Sequence, residues 1–179
     1  MTVGLTLLLS LMAAAPAGGA VLEASVSTSS GGAVQLSQFW GRPTILFYED
    51  RNSMEANRPL KQELERLLAQ NDRLRQTQVL AVANLQEYNW FPARQFALAG
   101  VKAAEAKNRI LLYIDLDGSL TRAPIQLPRV GASVLVIDEQ GNIVFRHLGP
   151  VGEKQRGHLF ALLEHLAKKP WQKAQASAQ

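Results

Sequence analysis

A β-hairpin is indicated by the sequence VLVIDEQGNIVF at residues 134–145. Two runs of apolar, mostly β-branched residues flank the tetrapeptide DEQG at residues 138–141. Runs of this kind, separated by a tight turn that contains glycine, form two antiparallel strands. The segment therefore predicts the antiparallel end of a β-sheet, and the patterns around it predict the rest of that sheet.

Strand and helix patterns alternate before the hairpin. Residues 43–48 read PTILFY, a continuous apolar run that is typical of a strand buried on both faces. A helix is predicted next, because four leucines between residues 60 and 68 recur at helical spacing and Pro59 suits a first helical turn. Residues 79–82 and 110–114 predict two further strands, with a helix over residues 91–106 between them.

The remaining elements complete an α/β pattern. A short helical turn is predicted at residues 119–122, and four leucines between residues 159 and 166 predict a last helix that ends near Lys168. Residues 21–27 and 33–36 predict an N-terminal β-hairpin around a Thr/Ser/Gly turn. This order predicts an α/β fold of three layers, in which a mixed central sheet has helices on both faces.

Residues 1–20 have the pattern of a cleaved secretory signal peptide. An apolar run at residues 5–12 precedes small residues that offer cleavage after Ala17 or after Ala20. The apolar run is too short to span a membrane, so no membrane span is expected in the mature chain. A buried N-terminal helix is the alternative, because no Lys or Arg precedes the run.

We therefore expect a periplasmic or secreted protein. Its domain is predicted over residues 21–169, followed by a flexible basic tail at residues 170–179. Net charge is +4, with 19 Lys and Arg scattered among 15 Asp and Glu. Proteins that bind nucleic acid cluster their basic residues, so nucleic acid is not an expected partner. The chain has no cysteine, which closes both disulfide bonding and thiolate chemistry to it.

Several segments resemble the thioredoxin-like group, which includes the peroxiredoxins and the TlpA-type periplasmic reductases. They are VQLSQFWGRP at residues 34–43, IDLDGSLTRA at 114–123, and GASVLVID with IVFR at 131–138 and 143–146. Within the group, RNSMEAN at residues 51–57 and the segment 114–149 are most similar to the YtfJ family of small exported proteins. The resemblance covers most of residues 33–167 and implies a thioredoxin-like fold, but it specifies no function.

This chain differs from the redox members of the group at two positions that matter for thiol chemistry. Redox members carry a cysteine at the N-terminus of the helix after the first core strand, where this chain has residues 51–55. They also carry a cis-proline before the closing hairpin, where this chain has Ala132. We expect a trans bond before Ala132, because a cis bond to a non-proline residue costs about 2.5–4 kcal/mol.

A candidate binding edge lies where the first core strand ends, since ligands of open α/β sheets bind beyond the carboxyl ends of the strands. The side chains placed there are Glu49, Asp50, Arg51, Asn52, Ser53, Glu55, Arg129 and Ala132. One hypothesis is that Arg51 and helix N–H groups bind an anion or a peptide backbone. The other is ordinary capping, with Asn52 or Ser53 as the N-cap and Glu55 in the first turn.

No catalytic, metal or cofactor site is predicted. Neighbouring Glu49 and Asp50 point to opposite faces in a strand, which argues against paired-carboxylate catalysis. The three histidines lack converging ligands and are interpreted as surface residues. The sequence DLDG at residues 115–118 is interpreted as a turn, because Gln126 stands where a calcium loop needs a bidentate Glu. Trp90 and Phe91 are expected to pack in the core rather than line a groove.

These observations favour a non-redox binding or accessory protein whose partner is a periplasmic protein or a small anionic ligand. One rival hypothesis is an enzyme of a non-thiol class that uses Glu49, Asp50 or Arg51 at the same edge. The other is the thiol or peroxide reductase that the fold suggests, which the missing cysteine contradicts. The sequence specifies no oligomeric state.

Overall fold

Seven strands form one mixed sheet in the order β2-β1-β5-β4-β3-β6-β7. The computed structural model describes residues 22–168. Its strands are β1 (Ser25–Thr28), β2 (Ala33–Gln35), β3 (Thr44–Glu49), β4 (Gln78–Asn84), β5 (Leu112–Asp115), β6 (Ala132–Ile137) and β7 (Ile143–Leu148). Its α-helices are α1 (Arg58–Gln70), α2 (Ala93–Asn108) and α3 (Glu153–Ala167). Both predicted hairpins, β1–β2 and β6–β7, are confirmed as antiparallel pairs.

The centre of the sheet is the strand predicted from PTILFY. β3 pairs parallel with β4 and antiparallel with β6, and β4 pairs parallel with β5. Ile45, Leu46, Phe47 and Tyr48 are all buried, as the continuous apolar run predicts. β3 therefore lies between two neighbouring strands and is covered on both faces of the sheet.

All three α-helices pack against the same face of the sheet, which we call the helix face. Leucines of α1 and α3 pack against Ile45 and Phe47, and Val101 of α2 packs near Ile114. Strands β3, β4 and β5 follow one another across the sheet in the same direction. Right-handed crossovers between them therefore place α1 and α2 on the same face.

The opposite face is covered without an α-helix. Residues 22–26, a 3₁₀ helix at Leu36–Phe39 and the loop at residues 120–127 pack there against Leu46 and Tyr48. Helical segments do lie on both faces, as predicted, but on this side they are short 3₁₀ helices, one of which is Ser119–Thr121. The three-layer expectation holds with an irregular third layer.

Two local predictions are corrected. Helix α1 begins at Arg58, so neither Asn52 nor Ser53 is its N-cap, and residues 51–57 form turns instead. Trp90 and Phe91 are 61% and 79% exposed, so they do not pack in the core.

The predicted signal peptide at residues 1–20, Val21, Lys169 and the tail at residues 170–179 lie outside the described residues. Over residues 22–168, no helix is both long enough and apolar enough to cross a membrane.

Candidate functional site

An apolar groove with a volume of about 550 Å³ opens on the helix face beside α2. Ala81 and Ala83 of β4 and Leu112 of β5 form its floor, and α2 forms one wall. One end of the groove carries polar side chains from the end of β3 and the turn that follows, which are Glu49, Asp50 and Arg51. Met54 lines the groove beside them. The groove therefore combines a mostly apolar lining with polar groups at this end and with the side chain of Tyr88.

The groove exists because the side chains that face it are small. Ala93, Ala97, Gly100 and Ala104 line it from α2, and their spacing places them on one side of that helix. A Cβ atom built on Gly100 meets no other atom within 4 Å, so this part of the helix faces open space. Alanines of β4 face it from below, and small residues on both sides leave the volume between them unfilled.

Glu49 is the buried polar group of the groove. Its side chain is only 10% exposed, and its Oε2 accepts a hydrogen bond from Lys61 Nζ at 2.5 Å. Lys61 also donates to the carbonyl of Met54 at 3.1 Å and lies over the ring of Phe47. The other carboxylate oxygen, Oε1, is buried and has no hydrogen-bond partner within the described residues.

The environment of Glu49 changes its acidity. Burial raises the pKa of Glu49 above its usual value, and the hydrogen bond and charge of Lys61 offset part of that rise. The side-chain amide of Asn57 also lowers this pKa. It forms no hydrogen bond of ordinary geometry to Oε1, since Asn57 Nδ2 is itself buried without a partner. Within the described residues, Lys61 forms the hydrogen bond of ordinary geometry to this carboxylate, and Asn57 has a smaller effect on it.

Asp50 is fully engaged within the fold. Its Oδ1 accepts hydrogen bonds from the N–H groups of Asn52 at 3.0 Å and Ser53 at 2.8 Å. Its Oδ2 accepts the N–H of Gly131 at 2.7 Å, which joins the turn after β3 to the loop before β6. Burial acts to raise the pKa of Asp50, but the hydrogen bonds from Gly131, Ser53 and Asn52 outweigh it and lower this pKa.

Solved structures of similar shape identify the architecture. A thioredoxin-like protein from Porphyromonas gingivalis has a TM-score of 0.60 and 22% identity over 83% of this chain and 92% of its own. A putative thiol:disulfide interchange protein DsbE from Chlorobium tepidum has a TM-score of 0.58 and 17% identity over 84% of this chain and 96% of its own. The fold is thioredoxin-like.

A third structure with this fold is Etrx1, an exposed lipoprotein thioredoxin from Streptococcus pneumoniae. It has a TM-score of 0.52 and 18% identity over 80% of this chain and 99% of its own. No protein-family model and no curated protein matches the chain. At these identities the likeness establishes the thioredoxin-like fold alone.

Asp50 and Gly131 directly precede the two positions that were compared with redox proteins above, residues 51–55 and Ala132. Within residues 22–168, the cis peptide bonds precede Pro92 and Pro124, so the bond before Ala132 is trans, as expected. Ala132 is buried and lies opposite Glu49 in the β3–β6 register. The hydrogen bond from Gly131 N–H to the Asp50 carboxylate joins the turn after β3 to the loop before β6.

The other predicted edge residues divide into two groups. Arg51 is exposed and lines the polar end of the groove with Glu49. Glu55 is exposed and pairs with Arg58 in the next turn. The side chain of Arg129 is also exposed, and its carbonyl accepts a hydrogen bond from Asn84 Nδ2 at 2.7 Å. The structure thus brings Glu49, Asp50 and Arg51 together, whereas neither Glu55 nor Arg129 lines the groove.

Sequence reasoning missed the α2 wall of this site. The signal was the recurrence of Ala and Gly at residues 93, 97, 100 and 104, which predicts a helix but not what lies opposite it. Phe96, also in α2, lines the groove while its side chain is 75% exposed. An apolar side chain so exposed beside a groove extends the apolar surface that a ligand contacts.

The histidines do not contribute to this site. His158 and His165 are exposed, while His147 is half-buried, with its ring stacked on Phe145 and Nε2 3.1 Å from the carbonyl of Pro150. The prediction of a surface position therefore applies fully to two of the three. Among the described residues, no group of three or more His, Cys, Asp or Glu side chains is placed to hold a metal ion.

Proposed function

We propose that this protein is an exported, non-redox binding or accessory protein of the YtfJ type, and that its ligand binds in the groove beside α2. The observation that carries the proposal is an apolar groove of about 550 Å³ that ends at the buried carboxylate of Glu49. Ligand sites in proteins are typically concave and apolar, with a few polar groups that orient the ligand. The groove has this composition.

The non-redox part of the proposal is supported by the residues at the redox position. The chain contains no cysteine, and the turn after β3 is held by the hydrogen bonds of Asp50. Thiol–disulfide exchange needs a thiolate that attacks a disulfide sulfur, and no side chain here supplies one. A reducing activity would require a different nucleophile.

Export is supported by the leader pattern of residues 1–20. One protein with the same fold is described as an exposed lipoprotein, which places the fold in an extracytoplasmic setting in that case. A lipid anchor of the lipoprotein kind is attached to a cysteine, and this chain has none.

Fractionation tests the exported location. The full chain with a C-terminal tag is expressed in a Gram-negative host, and the tagged protein is expected in the periplasmic fraction. N-terminal sequencing of that fraction is expected to begin at Gly18 or Val21. Recovery of the uncleaved chain from the cytoplasm would contradict export.

Two activity assays test the non-redox role. Protein purified from cells that express the full chain is assayed for thiol-dependent reduction of insulin and for turnover of hydrogen peroxide. We expect neither rate to exceed that of the blank, because the chain lacks a thiolate. Activity above the blank in either assay would overturn the non-redox proposal.

A second candidate is a non-thiol enzyme that uses Glu49 as a proton-transfer group. The observation that favours it is the raised pKa of Glu49 in a groove, since perturbed carboxyl groups in clefts are common in active sites. Against it, the neighbouring Asp50 is occupied by hydrogen bonds to Asn52, Ser53 and Gly131. Trapped ligand recovered chemically unchanged after incubation with the protein would favour binding, and conversion abolished in Glu49→Gln would favour the enzyme.

A further inference from the structure

We propose that α2 docks this protein onto the surface of a membrane that contains anionic lipids. The inference goes beyond the proposed function, because it concerns the outer surface of α2 and needs no ligand in the groove. It follows from three features of this surface, which are its exposed aromatic side chains, the alanine-rich face of α2 and the unpaired cations around them.

Three aromatic side chains are exposed at the start of α2, which are Trp90, Phe91 and Phe96. The backbone N–H of Arg94 donates to the carbonyl of Trp90 at 2.9 Å, so Trp90 and Phe91 lie within one turn of the start of the helix. Large apolar side chains that cluster on the surface of a protein mark a site of contact with a partner or a membrane. The start of α2 is such a cluster.

The indole of Trp90 is suited to a membrane interface. Its Nε1–H donates to the carbonyl of Glu87 at 3.0 Å. Because this donor already has a partner inside the protein, the ring can leave water without losing a hydrogen bond. Tryptophan and phenylalanine are the side chains that interfacial helices place between lipid headgroups and acyl chains.

The exposed face of α2 continues this apolar surface along the helix. Its members recur every three or four residues and therefore lie on one side of the helix. They are Phe96, Ala99, Gly100, Ala103 and Ala106. A helix of 16 residues is about 24 Å long, so the face can lie along a membrane surface over that length. An exposed apolar face with aromatic residues at one end has the composition of an interfacial helix.

Four exposed cations in α2 and directly after it supply the attraction to anionic lipids. They are Arg94, Lys102, Lys107 and Arg109. Within residues 22–168, none of their side chains forms an ion pair or a hydrogen bond. Glu105 of the same helix is occupied, since it accepts hydrogen bonds from Ser29 Oγ at 2.5 Å and from Leu112 N–H at 3.0 Å. Glu87 is exposed before α2, so the cations outnumber the exposed acid. Each cation near an anionic membrane surface raises the affinity by about fivefold.

The charges and the position of the aromatic residues favour a lipid surface over other occupants. Two copies of this surface placed face to face would bring the unpaired cations of both copies together, which is repulsive. A peptide bound in the groove would leave Trp90 and Phe91 exposed, because neither lines the groove. A bilayer is broad enough to cover the helix face, the aromatic side chains and the cations together.

Vesicle sedimentation tests the proposal. Protein purified from cells that express the full chain is mixed with vesicles of phosphatidylcholine alone or with about 30% phosphatidylglycerol. We expect the anionic vesicles to bind at least about tenfold more tightly at low salt, and this binding to disappear near about 0.5 M salt, where charges are screened over a few ångströms. Equal binding to both kinds of vesicle, or binding to neither, would overturn the proposal.

Charge variants test the position of the cations. Lys102→Gln combined with Lys107→Gln is expected to weaken binding to the anionic vesicles by about tenfold or more. Lys154→Gln combined with Lys168→Gln is the matched control, since these exposed lysines flank α3 and the change in charge is the same. The control is expected to bind within about threefold of wild type, because the attraction decreases within a Debye length. Equal losses in the two double variants would overturn the assigned surface.

Apolar variants test the aromatic contact. Phe91→Ser combined with Phe96→Ser is expected to weaken binding by about tenfold or more, because less apolar surface leaves water. Val144→Ser combined with Leu148→Ser is the control, since both are exposed apolar side chains of β7. Circular dichroism checks that each variant is folded, and Phe91→Ser alone replaces the double variant if the latter unfolds. Wild-type binding by the phenylalanine variant would overturn the proposal.

Tryptophan fluorescence locates the contact. We expect the emission of the wild-type protein to shift to shorter wavelength with anionic vesicles, because Trp90 leaves water. The chain has three tryptophans, so Trp90→Phe is measured in parallel, and the shift is expected to be absent while binding persists. A shift of equal size in both proteins would place the contact elsewhere, for example at Trp171 of the tail, and would overturn the proposal.

Two further measurements address the rival occupants. Sedimentation velocity without vesicles is expected to show a monomer, and a dimer that Phe96→Ser dissociates would overturn the proposal in favour of a second copy. Binding of poly-L-glutamate by a protein that binds neither kind of vesicle would overturn it in favour of an acidic polypeptide. Failure of vesicle binding leaves the insulin and peroxide assays unaffected, so it is distinguishable from failure of the proposed function.

Discussion

The carboxylate of Asp50 accepts a hydrogen bond from the backbone N–H of Gly131 at 2.7 Å. This bond connects the turn after β3 with the loop before β6, two segments separated by 81 positions in the chain. Gly131 has a φ of +95°, which favours glycine and lets its N–H face the carboxylate. The same carboxylate organises residues 51–53, so one side chain fixes both sides of the candidate site.

Asp50→Asn is expected to destabilise the fold by about 1–3 kcal/mol, since an amide NH₂ group would face a backbone donor where a carboxylate now accepts. The free energy of unfolding is measured by urea denaturation at neutral pH. Asp72→Asn is the matched control, because the Asp72 side chain is 87% exposed and its pairing with Arg75 is a surface contact, so a change within about 0.5 kcal/mol is expected. Equal effects of the two substitutions would contradict the role of Asp50.

Acid sensitivity follows from the lowered pKa of Asp50. A carboxyl group whose pKa is lower in the folded state stabilises the fold above its ordinary pKa of 3.8, and this contribution disappears as the pH falls through the folded-state pKa. The stability difference between wild type and Asp50→Asn is therefore expected to narrow below about pH 4. Urea titrations at several pH values measure this stability difference, and a difference that widens on acidification would contradict a lowered pKa of Asp50.

Glu49 is expected to show the opposite pH dependence. Burial raises its pKa, so the folded protein holds this proton to higher pH than the unfolded chain does. The contribution of Glu49 to stability should therefore decrease as the pH rises from the ordinary value of 4.5 through the folded-state pKa. In Glu49→Gln this decrease is expected to be absent, as measured by urea denaturation between about pH 4 and about pH 7. An identical pH dependence of stability in wild type and Glu49→Gln would contradict a raised pKa of Glu49.

Tyr48→Phe tests the buried polar group on the other face of the sheet. The Tyr48 hydroxyl donates to Asp115 Oδ2 at 3.1 Å and accepts from Gln86 Nε2 at 3.0 Å. Asp115 keeps the N–H groups of Ser119 and Leu120, so the loss is expected to be about 1–2 kcal/mol. Thermal or urea unfolding measures it.

The control for Tyr48 is Tyr113→Phe. Tyr113 is also buried, but among residues 22–168 its hydroxyl has no hydrogen-bond partner, so we expect a change below about 0.5 kcal/mol. Burial, reinforced by the charge of Asp115, raises the pKa of Tyr48 far above that of an exposed tyrosine. In an alkaline absorbance titration, wild type and Tyr48→Phe are therefore expected to show the same number of titrating tyrosines until the protein unfolds, and one more titrating tyrosine in wild type would count against the Asp115 bond.

Gly141→Ala tests how the hairpin turn fits the rest of the fold. Gly141 has a φ of +89°, and a Cβ there would lie 2.4 Å from Trp40 Cε2. Gly31→Ala is the matched control, because Gly31 has a similar φ of +93° with nothing within 4 Å of the built Cβ. We expect a loss of about 1 kcal/mol from backbone strain at Gly31 and a clearly larger loss at Gly141. Equal losses in urea denaturation would show that the contact with Trp40 relaxes without cost.

The sequence alone determined the elements whose signals are local. The β6–β7 hairpin follows from a tight turn between apolar runs, β3 from a continuous apolar run, and α1 and α3 from leucines at helical spacing. The absence of cysteine is likewise a property of composition, and it limits the chemistry whatever the fold. These features depend on residues that are close together in the chain, so they can be predicted from the sequence alone.

Tertiary structure decided the features that depend on distant segments. Helix α1 begins at Arg58 rather than near Asn52, and the turn before it is linked to a distant loop by the hydrogen bond from Gly131 to Asp50. The groove exists because small residues of α2 face alanines of β4, and no local pattern reports what lies opposite a helix. The burial of Glu49 Oε1 without a hydrogen-bond partner also depends on tertiary structure, since burial and hydrogen-bond partners arise only when separate segments pack together.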